Sequence, residues 1–183
     1  KSSDRALHTL IFDDPECHPF YYKNGKSFKD YHKEGEIFWH KYVTYTEGMS
    51  DYWDYSFFNV SVIRYADVLL LYAECLNDKG ETTEAINIIN KVRARVNVPA
   101  LPLTMSKAEV LKHLQDKERP CELALEGSRW YDLVRWGIVE ETLKAHNKPF
   151  VENYVDTKHQ LFPIPHSEFL LNPDWEQNPN YSK

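Results

Sequence analysis

The chain has 183 residues, 42% apolar and 27% charged, with a formal net charge of −6. That is enough for one substantial globular core and short for two, and the acidic balance argues against a nucleic-acid partner. No run approaches the roughly eighteen apolar residues of a membrane-spanning helix, the longest being Val68 to Ala73.

Residues 1–61 differ in kind from the rest of the chain. The first sixty residues hold 15 of the chain's 26 aromatics, so this region is read as long aromatic-rich loops. Its one strand-like stretch is GEIFWHKYVTY (35–45), where Ile37, Trp39, Tyr42, Val43 and Tyr45 favour an extended chain without strict alternation. The flanks carry turn formers and predict loops.

Helical spacing begins at Val62. Over residues 62–79, Val62, Tyr65, Ala66, Leu69, Tyr72, Ala73 and Leu76 fall at i, i+3, i+4, i+7 positions, and Val68, Leu71 and Cys75 widen the stripe. A helix apolar on several sides must be covered on several sides, with Cys75 expected as a small buried hydrophobe. Gly80 supplies the stop. Thr82 or Thr83 is expected to cap the next helix, on which Ala85, Ile88, Ile89, Val92 and Val96 share one face, closed by Asn97 and Pro99. The small residues Ala73, Gly80 and Ala85 fit a tetratricopeptide-type hairpin. Ser106 and Glu109 form a capping box that opens a helix from 107 to about 126.

That helix runs into ERPCELALEGSRWYDLVRW (118–136). Glu118, Glu122 and Glu126 stand four apart, which predicts one helical face. Pro120 predicts a kink near residue 116, or a helix that starts at the proline, because it lacks an N–H and fixes φ. Gly127 breaks the run, and Ser128 can cap a helix with Trp130, Leu133, Val134 and Gly137 on one side and Arg129, Asp132 and Arg135 on another. A helix over 139–147 comes next. Beyond Pro149 the chain is rich in Pro and Asn, and residues 148–183 are read as a strap across the helices.

The stretch 118–136 resembles the signature near the C-terminus of SusD-like (SusD/RagB) outer-membrane nutrient-binding lipoproteins. RYADVLLLYAE (64–74), AINIINKVRAR (85–95), LFPIP (161–165) and QNPNY (177–181) resemble the same family in the same order. The fold class expected is mainly α: tetratricopeptide-type helical hairpins, long aromatic loops, one short strand pair and a C-terminal strap, in a single domain over 1–183. The resemblance implies the C-terminal portion of a longer lipoprotein, anchored to the outer membrane by a lipidated cysteine upstream of Lys1. It also implies a glycan ligand and a TonB-dependent, SusC-like transporter as partner, with residues 62–147 as scaffold and partner surface.

Sugars present apolar C–H faces ringed by hydroxyls, so a glycan site needs flat aromatic platforms beside amides or carboxylates. Trp53 with Tyr52, Tyr55, Asp51 and Asp54 is the first candidate; Trp39 and the pair Tyr21 and Tyr22 with Asn24 come after it. The alternative for each is packing against the helices, which leaves a helical-repeat protein-interaction module without a sugar site. A glycosidase ranks third: it needs carboxyl groups about 5–9.5 Å apart on opposite sides of a bond, and one helical face cannot supply them. The signature residues Arg129, Asp132, Arg135, Arg64, Asp67 and Glu74 read as structural ion pairs, and no enzyme activity is expected. Scattered glycines form no phosphate loop, eight histidines show no ligand spacing, and Cys17, Cys75 and Cys121 show no CxxC. Free thiols and no cofactor or metal are expected.

Overall fold

The computed structural model describes residues 4–17, 25–42, 59 and 61–182, which fall in two compact units, Lys1–Arg129 and Trp130–Lys183. The first unit opens with helix α1 (Asp4–Thr9), which runs into strand β1 (Leu10–Ile11). Strand β2 (Phe38–Trp39) pairs with β1 antiparallel, Leu10 opposite Trp39 and Ile11 opposite Phe38, and this is the short strand pair expected. Beneath it Ile11, Cys17 and Phe28 form a small buried cluster, and the Cys17 thiol donates to the Leu10 carbonyl at 2.8 Å.

The hairpin forms as its periodicity predicts. Helix α2 (Tyr65–Asp78) and helix α3 (Thr82–Ala94) pack through Ala66, Leu70, Ala73, Leu76, Ala85, Ile86, Ile88, Ile89 and Val92, joined by Val110 and Leu114. Ala73 and Ala85 are fully buried, so the small residues sit where the helices approach. Gly80 adopts φ +87°. Its N–H donates to Asn77 O at 3.1 Å and that of Glu81 to Leu76 O at 2.9 Å, the two bonds of a Schellman stop. At the far end Asn97 takes φ +50°, and Val98 N–H returns to Arg93 O at 3.1 Å.

Three helical expectations need correction. The core edge of α2 runs through Ala66, Leu70, Ala73 and Leu76, whereas Val62, Tyr65, Val68, Leu71, Tyr72 and Cys75 are exposed. The apolar positions of α2 cover more than one face, and its partners α3 and helix α4 (Lys107–His113) cover only one of them. The cap of α3 is Glu81, through its backbone alone, and not Thr82 or Thr83. The helix expected over 107–126 stops at Glu122.

Its start is as predicted: Ser106 Oγ accepts from Glu109 N–H at 3.3 Å, and Glu109 Oε2 accepts from Ser106 N–H at 2.8 Å. Helix α4 then widens into a π turn (Leu114–Glu118) before helix α5 (Arg119–Glu122), with Pro120 in the first turn of α5. In that turn Arg119 N–H reaches back five residues to Leu114 O. By the same register Gln115 O should receive Pro120, which has no N–H. The Arg129 guanidinium donates to Gln115 O instead, at 2.8 Å. The expected disturbance near residue 116 is therefore a π turn, with an arginine of the signature satisfying the orphaned carbonyl.

In the second unit, helix α6 (Ser128–Trp136) and helix α7 (Val139–Ala145) meet through Leu133, Val139 and Leu143, with Trp130, Val134, Ile138, Val151 and Tyr154 packed around them. The tail is less irregular than expected, since helix α8 (Asp156–His159) and helix α9 (His166–Leu171) interrupt it. The tail is held to itself by an amide that imitates a strand partner: Gln177 Oε1 accepts from Ile164 N–H at 2.8 Å and its Nε2 donates to Ile164 O at 2.9 Å. Asn178 and Tyr181 donate to the carbonyls of Phe162 and Leu161 at 2.7 and 3.1 Å. Among the described residues no helix is long and apolar enough to cross a membrane.

Candidate functional site

Of the sequence candidates, Trp39 alone is described; Tyr21, Tyr22, Asn24, Tyr52, Trp53 and Tyr55 lie outside the described residues. Trp39 sits on β2 with half its surface exposed, between exposed Phe38 and half-buried His40. The strand is fixed to α1 by His40, whose N–H donates to Thr9 O at 2.9 Å and whose Nδ1 lies 2.7 Å from Leu7 O. Phe28, His32 and Phe38 form a ring cluster, with His32 centred 4.6 Å from Phe38 and 4.7 Å from Phe28. Tyr31 is exposed, with Lys26 Nζ 5.1 Å from its ring centre. An exposed indole is the material a sugar face stacks on. Sequence reasoning passed over Tyr31, Phe38 and His32, although the density of rings in residues 28–39 was the available signal.

Beside the hairpin lies a buried charged seam. Glu118 and Glu122 are buried, and Glu126 comes after them in the turn beyond α5, where Leu125 has φ +63° and Gly127 φ +77°. The three glutamates do not share one helical face, because α5 ends at Glu122. They are nevertheless gathered by cations drawn from distant parts of the chain. Glu118 receives Arg5 at 2.6 Å on one oxygen and Arg93 at 2.6 Å and His113 at 2.9 Å on the other. Glu122 receives Arg64 at 3.1 Å and Arg95 at 2.7 Å on Oε1, with Arg5 Nε 3.3 Å from Oε2. Glu126 receives Arg64 Nε at 2.7 Å on Oε2 and Lys41 Nζ on Oε1. Arg119, buried, pairs with Asp67 of α2 at 2.8 Å.

Burial by itself would raise the Glu118 carboxyl, but the hydrogen bonds from His113, Arg5 and Arg93 outweigh it and hold the group at about 2. Glu126 is likewise lowered, against burial, by Arg64 and Lys41, and Arg64 is raised by its two glutamates despite burial. Both carboxylates are thus ionised at neutral pH and saturated with donors, which suits cross-linking and leaves no proton to give. Further along, Asp132 is buried and pairs with Arg135 at 3.0 Å within α6. Arg64, Asp67 and Arg129 tie separate elements through ion pairs or a carbonyl contact, as read, whereas the pair of Asp132 with Arg135 lies within α6. The contributions of Arg5, Lys41, Arg93 and His113 were not foreseen.

Comparison with known proteins places these features in a family. A SusD-like protein of Formosa agariphila is 37% identical over 130 residues, 67% of this chain and 25% of the relative. A SusD superfamily protein from Bacteroides vulgatus superposes over 97% of this chain and 39% of that one, with a TM-score of 0.69 and 28% identity. A SusD homolog from Bacteroides thetaiotaomicron covers 65% of this chain and 26% of its own, with a TM-score of 0.53 and 35% identity. The chain spans about a quarter of the length of the curated relatives it matches. The SusD family model matches residues 20–181, and with the mainly helical fold and the short strand pair described above, the chain belongs to the SusD family.

Proposed function

We propose that this chain is the glycan-capturing part of a cell-surface lipoprotein that passes oligosaccharides or polysaccharide fragments to a TonB-dependent, SusC-like outer-membrane transporter. Membership of the SusD family over residues 20–181 carries the reading. The half-exposed indole of Trp39 gives it local support, because a buried one would have removed a platform. In this reading Tyr52, Trp53 and Tyr55 stack on sugar faces together with Trp39, and Tyr21, Tyr22 and Asn24 add contacts. In this reading residues 62–147 serve as scaffold and partner surface.

Covering one face of an aromatic ring removes on the order of 100 Å² from water, worth about 2–3 kcal/mol. Two platforms then bind in the range of about 100 μM to about 1 mM. Such affinity suits capture by an array on a surface. The donor-saturated Glu118, Glu122 and Glu126 argue against glycoside hydrolysis by this signature.

The test is calorimetric titration of the protein, and of Trp53→Ala and Trp39→Ala, against soluble plant, fungal and host glycans. Binding in that range, weakened about tenfold or more by Trp53→Ala, supports capture within these residues. Silence toward every glycan from folded protein favours the second reading, a helical interaction module without a sugar site. The observation behind that reading is the exposed face of α2, where Tyr65 is 76% and Tyr72 52% accessible.

A further inference from the structure

Helix α8 is a single turn, too short to be held by its own backbone bonds alone. Val155, its N-cap, accepts through its carbonyl from Lys158 N–H at 3.0 Å and from His159 N–H at 2.8 Å. His159 answers with its side chain, whose Nδ1 accepts from Val155 N–H at 2.8 Å. The residue before α8 and the last residue of α8 are thus bonded to each other in both directions. The arrangement is a capping box with an imidazole one position beyond the usual glutamate or glutamine.

Only one partner in this exchange can change its role. A backbone N–H always donates, so Nδ1 presents a lone pair and the proton of the neutral ring lies on Nε2. An imidazolium carries a proton on both nitrogens, and its Nδ1 proton would meet the Val155 N–H donor to donor.

The same ring seats the end of the chain. It stacks on Tyr154, with centroids 5.7 Å apart and planes at 30°, and meets Tyr181 edge to face at 6.5 Å. Lys158 Nζ lies 4.7 Å from the Tyr181 ring centre, and Asn180 Nδ2 lies 3.3 Å from Thr157 Oγ1. The titratable groups around the imidazole are therefore Tyr154, Tyr181 and Lys158, with Asp156 at the start of α8. The Asp156 carboxylate is already engaged by Gln160 and by the Tyr154 hydroxyl, the latter at 2.7 Å. Glu140 of α7, on the far side of Tyr154, is paired with Lys144 at 2.6 Å.

We propose that His159 is an acid-sensitive latch: neutral, it closes α8 onto Val155 and seats Asn180 and Tyr181; protonated, it releases the Val155 N–H and loosens that seat. The bonds between Gln177 and Ile164 contain no titrating group and hold in both states. Acid therefore frees the last residues of the tail and leaves its Gln177 anchor in place.

Nitrogen-resolved NMR of the protein from about pH 8 to about pH 4.5 tests this, a span that brackets the roughly 6.5 of an unconstrained imidazole. At the upper end His159 Nδ1 should give the signal of an unprotonated nitrogen. On acidification the Val155, Thr157 and Tyr181 amides should follow the His159 ring on one curve, while the Ile164 amide stays in place. His159→Phe keeps a ring beside the tyrosines but offers no acceptor, and should show the acid-form positions at every pH. His159→Gln offers an oxygen that accepts the same N–H and does not titrate, so it should keep the bond at every pH. A Val155 amide that ignores the ring, or that moves equally in His159→Phe, overturns the latch. Movement of Ile164 on the same curve also overturns it, since the whole tail would then be loosening. Should His159→Phe fail to fold, His159→Gln decides: a pH response at Val155 that persists there belongs to another group and overturns the proposal.

Discussion

The α2–α3 hairpin and the charged seam beside it are adjoining parts of one unit, held by opposite means. In the hairpin Leu70, Ile86 and Ile89 are fully buried, and the contact is non-directional: any shape of the right volume could fill it. In the seam Glu118 is equally buried, but it keeps its place only because Arg5, Arg93 and His113 meet its two oxygens. The difference teaches what each can specify. An apolar core brings helices together; a saturated carboxylate dictates which residues of α1, α3 and the chain near Lys41 must arrive at one place, because each missing partner leaves a buried charge uncompensated.

The sharpest way to break the comparison is to remove one member from each side. Glu118→Ala should cost about 3–5 kcal/mol, since it takes the carboxylate from Arg93 and leaves Arg5 with Glu122 alone. Ile89→Ala should cost about 2–5 kcal/mol through a cavity that the packed helices close only in part. The two losses differ in their response to pH. The Glu118 carboxyl lies near 4.5 when unconstrained and at about 2 when folded, which corresponds to about 3 kcal/mol. Because the folded value is the lower one, that stability is complete above about 4.5 and disappears as pH falls through 2. Urea unfolding at pH 7 and pH 3 should therefore show the penalty of Glu118→Ala shrinking on acidification while that of Ile89→Ala holds. Equal pH dependence would mean that Glu118 acts by packing and not by charge.

These two regions were not equally legible. The hairpin was readable because its information is local: Ala85, Ile88, Ile89 and Val92 repeat at helical spacing, Gly80 marks the stop, and Ser106 with Glu109 marks a start. Even there the buried edge of α2 was misplaced, because apolar residues stand on several of its faces and periodicity cannot say which one is covered. The seam was half readable. Three glutamates four apart announced a charged pattern, and Pro120 announced a broken helix, but Arg5 lies 113 positions from Glu118 and leaves no periodic trace. Of the candidate site, only Trp39 meets a described structure, and its exposure follows from a two-residue strand that only the pairing with Leu10 and Ile11 defines.

A third substitution sharpens the contrast within the second unit, where one residue draws on both kinds of contact. Trp130 packs against the Leu133, Val139 and Leu143 cluster and meets Tyr154 edge to face at 6.2 Å, yet it is only partly buried. A fully buried tryptophan would cost about 3–5 kcal/mol on truncation to alanine. With part of its surface already in water, Trp130→Ala should lose about 2 kcal/mol, most of it apolar area and the remainder the ring pair with Tyr154. Thermal unfolding of Trp130→Ala beside Trp130→Phe measures the split, because phenylalanine keeps much of the apolar body and a ring. An unchanged melting temperature in Trp130→Ala would remove the indole from this core.

The smallest effect is expected at Arg95, and it tests whether exposure or ion-pair distance sets the worth of a contact in the seam. Arg95 lies 2.7 Å from Glu122 Oε1, closer than Arg64 at 3.1 Å on the same oxygen or Arg5 at 3.3 Å on the other. By distance it is the strongest partner. Its side chain is 57% exposed, however, against 11% for Arg5, so water screens it and ordering its long side chain offsets much of the gain. Removing it also leaves Glu122 with two cations. Arg95→Ala should therefore cost less than about 1 kcal/mol, whereas Arg5→Ala, which empties positions on both Glu118 and Glu122, should cost several times more. Should chemical denaturation find the two variants equally damaged, burial would not be what separates the members of this network, and the seam would behave as one cooperative unit in which any missing cation is felt by all three glutamates.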